Sequence, residues 1–199
     1  MVRLVHAGLR GAGLTVLGKT TGSRPSLLLP DGTEEEIKRR GPASILEQRK
    51  TLRRASEYGV DAYVIEAMSI NPEYQRVEAR SILEPNIVGV TRLALDHLSE
   101  MGDSLEGIAN SIAESIPSEA RVIVGDENLG KYASRSLEGL ESGKPDTAVV
   151  KEVSDSLDYL EFDENIRLSL ALASEVAESS EAVIGGTCKA APEPGSLRA

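Results

Sequence analysis

Short apolar runs recur along the chain, and they constrain its fold more than any other feature. The runs lie at residues 15–17, 27–29, 62–65, 86–91, 121–124 and 147–150. Because apolar and polar residues do not alternate within them, the runs predict strands that are covered on both faces of their sheet. Amphipathic segments separate most of the runs. This alternation predicts an α/β fold with three α/β/α layers around a mostly parallel sheet.

Helix signals occupy the segments between the runs. The first helix is expected to begin at or before Met1, and Pro42 fits the first turn of a second helix. Ser104 is the expected N-cap of a third helix, which Pro117 ends. Asp163 is the expected N-cap of a further helix. These helices supply the crossovers that a parallel sheet requires.

Composition excludes several classes of protein. Thirty-two acidic and 22 basic side chains give a net charge of −10, which repels a nucleic-acid backbone. One Phe, five Tyr and no Trp offer few surfaces on which bases could stack, so we expect no nucleic-acid partner. The single cysteine cannot form an internal disulfide, and no apolar run approaches the roughly 18 residues of a membrane span. A cytoplasmic location is the simplest expectation.

Seven of the 22 cationic side chains lie within residues 38–54. Two interpretations of this basic cluster remain open from the sequence. It forms a surface for an anionic substrate or a phosphate group, or it is a solvated helix face beside the acidic residues 34–36.

Polar residues that follow the apolar runs are the candidates for a functional site, because ligands of open α/β sheets bind beyond the carboxyl ends of the strands. A cationic, hydroxyl-rich loop at residues 18–23 follows the first run, Glu66 follows the run at 62–65, and Asp96 and His97 follow the run at 86–91. Two strand ends that each deliver a ligand for a hard cation predict a Mg²⁺ site. The alternatives are a glutamate in a salt bridge or at the sheet rim, and a histidine that is buried or caps a helix.

The order and spacing of four segments resemble the poly-gamma-glutamate synthases, which are capsule-forming ATP-dependent ligases of the Mur ligase family. The segments are residues 18–22, 40–48, 66–75 and 96–102. The most specific of them reads Glu-Ala-Met-Ser-Ile-Asn-Pro-Glu-Tyr-Gln, from Glu66 to Gln75. The resemblance extends over nearly the whole chain.

The resemblance implies a reaction, cofactors and partners. ATP phosphorylates a glutamate carboxylate, and the amine of another glutamate attacks the acyl phosphate to form an amide. The implied cofactors are ATP and Mg²⁺. The implied partners are glutamate, poly-gamma-glutamate and membrane-associated capsule proteins, and only such proteins would bring the chain to the inner face of the membrane.

The resemblance also assigns roles to single residues. Glu66 and His97 match the metal ligands and catalytic residues of the family, and Asn165 matches an asparagine that contacts adenine. Arg92 replaces a family asparagine, and we expect it to contact the nucleotide phosphates. The residues assigned to the substrate side are Lys19, Thr20, Thr21 and Asn71.

The resemblance places the family's glycine-rich P-loop immediately before Met1. We therefore expect residues 1–190 to form an incomplete Mur-ligase-like ATP-binding domain, and residues 191–199 to begin the connector to a missing C-terminal domain. A chain of this kind is expected to be inactive alone. The alternative is a non-catalytic polyglutamate-binding or scaffold protein on a ligase-derived fold. A ligase acting on folate or cell-wall precursors is a third possibility, and residues 71–75 disfavour it.

Overall fold

A computed structural model describes residues 1–22, 24–95, 98–126, 128–132, 140–142 and 145–197. The chain divides into two compact units. The first unit comprises Met1–Pro42, Thr51–Glu66 and Gly143–Ala199, and the second comprises Ala43–Lys50 and Ala67–Ser142. The expectation of one domain over residues 1–190 did not include this division.

Helices and strands alternate along much of the described chain, which confirms the predicted α/β class. The strands are β1 (Val16–Lys19), β2 (Ser26–Leu28), β3 (Glu34–Glu36), β4 (Ala62–Ile65), β5 (Ile87–Val90), β6 (Arg121–Val124) and β7 (Leu140–Ser142). The α-helices are α1 (Val2–Gly11), α2 (Leu46–Tyr58), α3 (Pro72–Val77), α4 (Leu98–Met101), α5 (Leu105–Ser115), α6 (Asn128–Tyr132), α7 (Thr147–Ser156), α8 (Asp163–Ser174) and α9 (Ser180–Thr187). A π-helix, Glu78–Leu83, continues directly from α3.

The sheet of the first unit has the strand order β3-β2-β1-β4. β1 and β4 are parallel, with Val16 opposite Ala62 and Lys19 opposite Ile65. β2 is antiparallel to both β1 and β3, because short turns connect these three strands in sequence. The parallel pair is the part of this sheet in which two strands end at the same edge.

The core of the first unit lies between α1 and the C-terminal helices. α1 is buried along most of its length, and its Leu4 and Leu9 pack in one core cluster with Ile166 and Leu170 of α8 and with Val183 of α9. The spacing of four residues within α8 places its two core residues on one side of that helix. A smaller cluster of Leu17, Leu27 and Ala55 packs on the sheet.

Residues 147–150 form the start of α7, so the prediction of a strand there was wrong. The Asp146 carboxylate accepts a hydrogen bond of 2.9 Å from the backbone N–H of Ala148 and thereby caps the helix. Val150 and Val153 are both buried, and a spacing of three residues places them on one helix face. Cap and packing together outweigh the β propensity of two adjacent valines.

The second unit contains a parallel sheet with the order β5-β6-β7. Its core packs Val122 and Val124 of β6 against Ile108 and Ala109 of α5. The predicted cap is present, since the Ser104 hydroxyl accepts a hydrogen bond of 3.1 Å from the N–H of Gly107. The predicted strands at 86–91 and 121–124 correspond to β5 and β6.

Two predicted helix starts differ from the structure. α2 begins at Leu46, so Pro42 precedes the helix by four residues instead of lying in its first turn. Asp163 is the first residue of α8 and Phe162 holds the cap position, without a side-chain hydrogen bond. An acidic residue in the first turn still interacts favourably with the helix dipole, which is why Asp163 suits either position.

Candidate active site

The carboxyl ends of β1 and β4 bring two of the predicted site residues together. The backbone N–H of Glu66 donates to the carbonyl of Lys19 at 3.1 Å, which extends the parallel ladder by one residue. The N–H of Thr21 then donates to Oε2 of Glu66 at 2.6 Å. Glu66 is exposed and Thr21 is half-buried. A carboxylate therefore lies at the sheet edge where the strand-end rule predicts a ligand site.

Lys19 and Thr20 lie beneath this edge and not in a surface loop. Lys19 is the last residue of β1 and is completely buried, and Thr20 is 2% exposed. The Thr20 hydroxyl accepts a hydrogen bond of 3.2 Å from the N–H of Ser26. The loop predicted at residues 18–23 therefore begins only after Lys19, and the burial of both side chains separates them from solvent. Their assignment to the substrate side stays a prediction.

Glu66 has the chemistry of a Mg²⁺ ligand. Its carboxylate is exposed, follows a strand and accepts a hydrogen bond from the N–H of Thr21. Mg²⁺ in phosphoryl transfer needs only one or two protein carboxylates and completes its shell with water and phosphate oxygens. In the part of the chain that the structure describes, no group of three His, Cys, Asp or Glu side chains is placed to hold a metal ion.

His97, the second predicted metal ligand, lies outside the described residues, as does Asp96. The convergence of Glu66 and His97 on one cation stays a prediction. Arg92 follows β5 in the second unit and is exposed.

Asn71 is the N-cap of α3. Its Oδ1 accepts hydrogen bonds from the N–H groups of Glu73 and Tyr74, at 3.0 and 3.3 Å. Pro72 occupies the first helical position, where its missing N–H costs nothing. Because the cap uses the carbonyl oxygen, a contact between Asn71 and a substrate carboxylate would come from its amide group.

Asn165 lies in the first turn of α8 and is half-buried. Its Nδ2 donates to Oε1 of Glu161 at 2.8 Å. Like Glu66, it belongs to the first unit. Contact with adenine stays a prediction for this residue.

A buried carboxylate at Glu78, in the second unit, was not predicted from the sequence. Glu78 is 2% exposed, and its Oε1 accepts hydrogen bonds from Met68 N–H at 2.9 Å and from Gln48 Nε2 at 2.6 Å. Its Oε2 accepts from the N–H and the hydroxyl of Ser69, at 2.9 and 2.5 Å. Gln48 and Ser69 belong to the segments that carry the family resemblance, which was the one signal in the sequence that could have pointed here.

A cavity of about 440 Å³ in the first unit is lined by Arg24, Glu36, Asp158 and Tyr159, among other residues. Burial raises the pKa of Tyr159 to about 12, and the nearby carboxylates act in the same direction. The residues predicted from the sequence do not line this cavity. The cavity and the carboxyl edge of β1 and β4 share no lining residue.

By sequence, the chain is similar to two proteins of capsule or PGA synthesis. No family model matches it. The chain is 29% identical over 204 residues to PGA synthase CapB of Bacillus subtilis (strain 168), and 26% identical over 204 residues to capsule biosynthesis protein CapB of Bacillus anthracis. Each alignment covers 100% of this chain, but 52% and 44% of the relatives. The chain thus spans about half the length of the curated relatives it matches.

Comparison with solved structures identifies the fold. An FPGS–AMPPCP complex superposes with a TM-score of 0.59 at 14% identity, over 96% of this chain and 60% of that chain. E. coli FolC in complex with DHPP and ADP superposes with a TM-score of 0.53 at 18% identity, over 98% of this chain and 57% of that chain. These similarities define the class of the chain, which has the fold of the Mur-type folylpolyglutamate synthases.

The similarity to the two capsule proteins extends over all of this chain and confirms the predicted resemblance to the poly-gamma-glutamate synthases. In the described part of the chain, no helix has the length and apolar character needed to cross a membrane.

Proposed function

We propose that this chain forms part of an ATP-dependent ligase that joins glutamate units through amide bonds in poly-gamma-glutamate synthesis. The observation that carries the proposal is Glu66, a carboxylate at the carboxyl edge of the parallel pair β1 and β4. Similarity to two capsule synthases along the entire chain supports the choice of substrate class. The nucleotide names of the solved neighbours, AMPPCP and ADP, support ATP as the co-substrate.

The proposed reaction has two steps. An oxygen of a glutamate side-chain carboxylate attacks the γ-phosphorus of ATP, which forms an acyl phosphate and releases ADP. The neutral amine of a second glutamate then attacks the acyl carbon, the C–O bond to phosphate breaks, and the amine proton passes to solvent. Such chemistry depends mainly on positioning and on compensation of phosphate charge, and it needs no covalent enzyme intermediate.

We assign the residues of this chain separate roles in the proposed reaction. Glu66, together with His97, would hold Mg²⁺, which neutralises negative charge on the transferred phosphoryl group when it is bound. Asn165 would contact adenine, and Arg92 would contact the nucleotide phosphates as a fixed cation. The residues proposed on the substrate side are Lys19, Thr20, Thr21 and Asn71.

A matched pair of exposed carboxylates provides the test. Glu66 accepts the N–H of Thr21 at the carboxyl end of β4, and Asp61 accepts the N–H of Thr15, at 2.8 Å, just before the amino end of the same strand. Each of the substitutions Glu66→Gln and Asp61→Asn removes the negative charge of a carboxylate that accepts a hydrogen bond from a backbone N–H. Binding of AMPPCP with Mn²⁺, measured by isothermal titration calorimetry, should weaken roughly 10- to 100-fold in Glu66→Gln alone.

Poly-gamma-glutamate binding is measured on the same proteins. Equal nucleotide affinity in Glu66→Gln and in the unsubstituted chain would refute the proposed role of Glu66. Binding of the polymer without any binding of nucleotide would support the scaffold alternative. Three exposed cations on α2, Arg49, Lys50 and Arg53, are the observation that favours this second candidate.

Two further expectations stay predictions. One is that these 199 residues turn over no ATP by themselves, which release of radiolabelled phosphate would test. The other is that residues 191–199 begin a connector between domains. Association with membrane-associated capsule proteins likewise stays a proposal, which rests on the resemblance to the poly-gamma-glutamate synthases alone.

A further inference from the structure

The segment at residues 67–70 is held by side chains and not by secondary structure. It links Glu66 to Asn71 in sequence, so both of its neighbours are proposed site residues. Its backbone N–H groups at Met68 and Ser69 donate to the carboxylate of Glu78 at 2.9 Å each. The carbonyl of Ser69 accepts a hydrogen bond of 3.1 Å from Nε2 of Gln75. Both backbone polar groups of Ser69 are therefore bound by side chains.

Four donors converge on the two oxygens of Glu78. Besides the two N–H groups, the Ser69 hydroxyl donates to Oε2 at 2.5 Å, and Nε2 of Gln48 donates to Oε1 at 2.6 Å. A carboxylate that is 2% exposed carries a large desolvation cost, which these hydrogen bonds offset. An apolar side chain would fill the same volume without that cost, but it could not bind two backbone N–H groups.

The backbone conformation at Glu78 directs its side chain toward residues 67–70. Glu78 is the first residue of the π-helix, at its junction with α3. Single π-helical turns within helices occur frequently at functional sites, where they redirect a side chain. α3 is itself started by the Asn71 cap, so the segment is restrained at its end as well as in its middle.

We propose that Glu78 is a positioning residue, whose buried carboxylate fixes residues 67–70 and thereby the direction in which Asn71 leaves this segment. The inference rests on the proposed function, because Asn71 matters only if it binds substrate. Glu78 itself touches neither nucleotide nor substrate in this scheme. Loss of its charge should loosen the segment first and weaken ligand binding as a consequence.

The experiment compares Glu78→Gln with Val122→Ala in the 199-residue chain. The glutamine keeps the shape but replaces one acceptor oxygen with a donor that faces other donors. Val122 is 1% exposed in the core of the same unit, so its truncation lowers stability without touching residues 67–70. Amide hydrogen exchange at Met68 and Ser69 and the affinity for poly-gamma-glutamate are measured in each protein.

In Glu78→Gln, exchange of the two amides should accelerate at least tenfold and polymer affinity should fall about tenfold, the equivalent of one lost hydrogen bond to a charged group. Val122→Ala should change neither value. Unchanged affinity in Glu78→Gln, with measurable affinity in the unsubstituted chain, would overturn the positioning role. Absence of polymer binding in the unsubstituted chain would instead overturn the proposed substrate-side role of Asn71, and the inference with it.

A second variant covers the case in which Glu78→Gln does not fold. Ser69→Ala removes only the hydroxyl donor and keeps both backbone hydrogen bonds to the carboxylate. We expect a smaller change, with exchange at Met68 and Ser69 accelerated about threefold and a parallel loss of affinity. A folded Ser69→Ala protein with unchanged exchange and unchanged affinity would contradict the proposal.

Discussion

Gly11 and Gly186 allow α1 and α9 to cross more closely than any side chain permits. A Cβ atom on Gly11 would lie 2.4 Å from Cα of Gly186 and 2.8 Å from the carbonyl oxygen of Ala182. Both neighbours are backbone atoms, so no side-chain rotation relieves the overlap. Gly11→Ala should therefore push the helices apart at a cost of about 1–3 kcal/mol. The gain in helix propensity is at most about 1 kcal/mol and is smaller at the last residue of α1.

Gly185→Ala is the matched control, since it makes the same chemical change one residue away from Gly186. An added Cβ on Gly185 would meet no atom within 4 Å. This substitution should stabilise α9 by a few tenths to about 1 kcal/mol, because alanine has the higher helix propensity. Urea unfolding followed by far-ultraviolet circular dichroism measures both variants. With a slope of about 2 kcal/mol/M, a loss of about 2 kcal/mol lowers the midpoint by about 1 M.

The two midpoints should shift in opposite directions. A Gly11→Ala protein that is as stable as the unsubstituted chain would refute the close approach of the two helices. Gly186→Ala gives an independent check, because its Cβ would lie 2.4 Å from the carbonyl oxygen of Ala7. Since both alanines open the same contact, the double variant should cost less than the sum of the single variants.

Three further predictions concern buried charge, pH and capping. Glu34→Ala should destabilise more than Arg3→Met, by about 2 against about 1 kcal/mol in urea unfolding, because Arg3 is 4% exposed and would lose its two-pronged partner, keeping only Glu193 at 3.2 Å. Burial and the nearby Arg10 lower the pKa of His6, so the unfolded chain binds the proton more tightly and stability should fall as pH drops below about 6.5. Unfolding of His6→Gln between pH 7 and 5 should show a smaller decrease. Asp146→Ala should cost about 1 kcal/mol in the same urea assay and Asp146→Asn much less, because asparagine also caps.

Continuous apolar runs were sufficient to locate the central strands. β4 and β6 correspond to the predicted residues 62–65 and 121–124, because a run of three or four apolar residues bounded by polar ones fits a strand and is too short for a helix. The run at 147–150 has the same composition but lies at the start of a longer amphipathic pattern. At these residues, the Asp146 cap and the burial of Val153 stabilise a helix instead of the predicted strand.

The strand β3 could not be predicted, because three consecutive glutamates have low strand propensity. Its stability comes from distant arginines on both faces of the sheet. Arg3 binds Glu34 at 2.8 Å, and Arg54, part of the basic cluster, binds Glu35 at 2.5 Å. Arg54 thus supports the interpretation of that cluster as a helix face beside the acidic residues. No local pattern connects residues 3 and 34, so only the folded structure reveals the pairing.

Part of the candidate site could be predicted from local sequence patterns, and part could not because it depends on contacts that are distant in sequence. The rule that ligands bind beyond the carboxyl ends of the strands singled out Glu66 and the residues after β1 separately, and the hydrogen bond from Thr21 to Glu66 joins them at one edge. Glu78 could not be predicted in this way, because its hydrogen-bond partners lie 9, 10 and 30 residues away in the sequence. Its burial depends on all of these partners together. A glutamate within a helix usually predicts a solvent-exposed side chain. A buried carboxylate that binds two backbone N–H groups of an irregular segment is therefore a sign of a site that the helical pattern conceals.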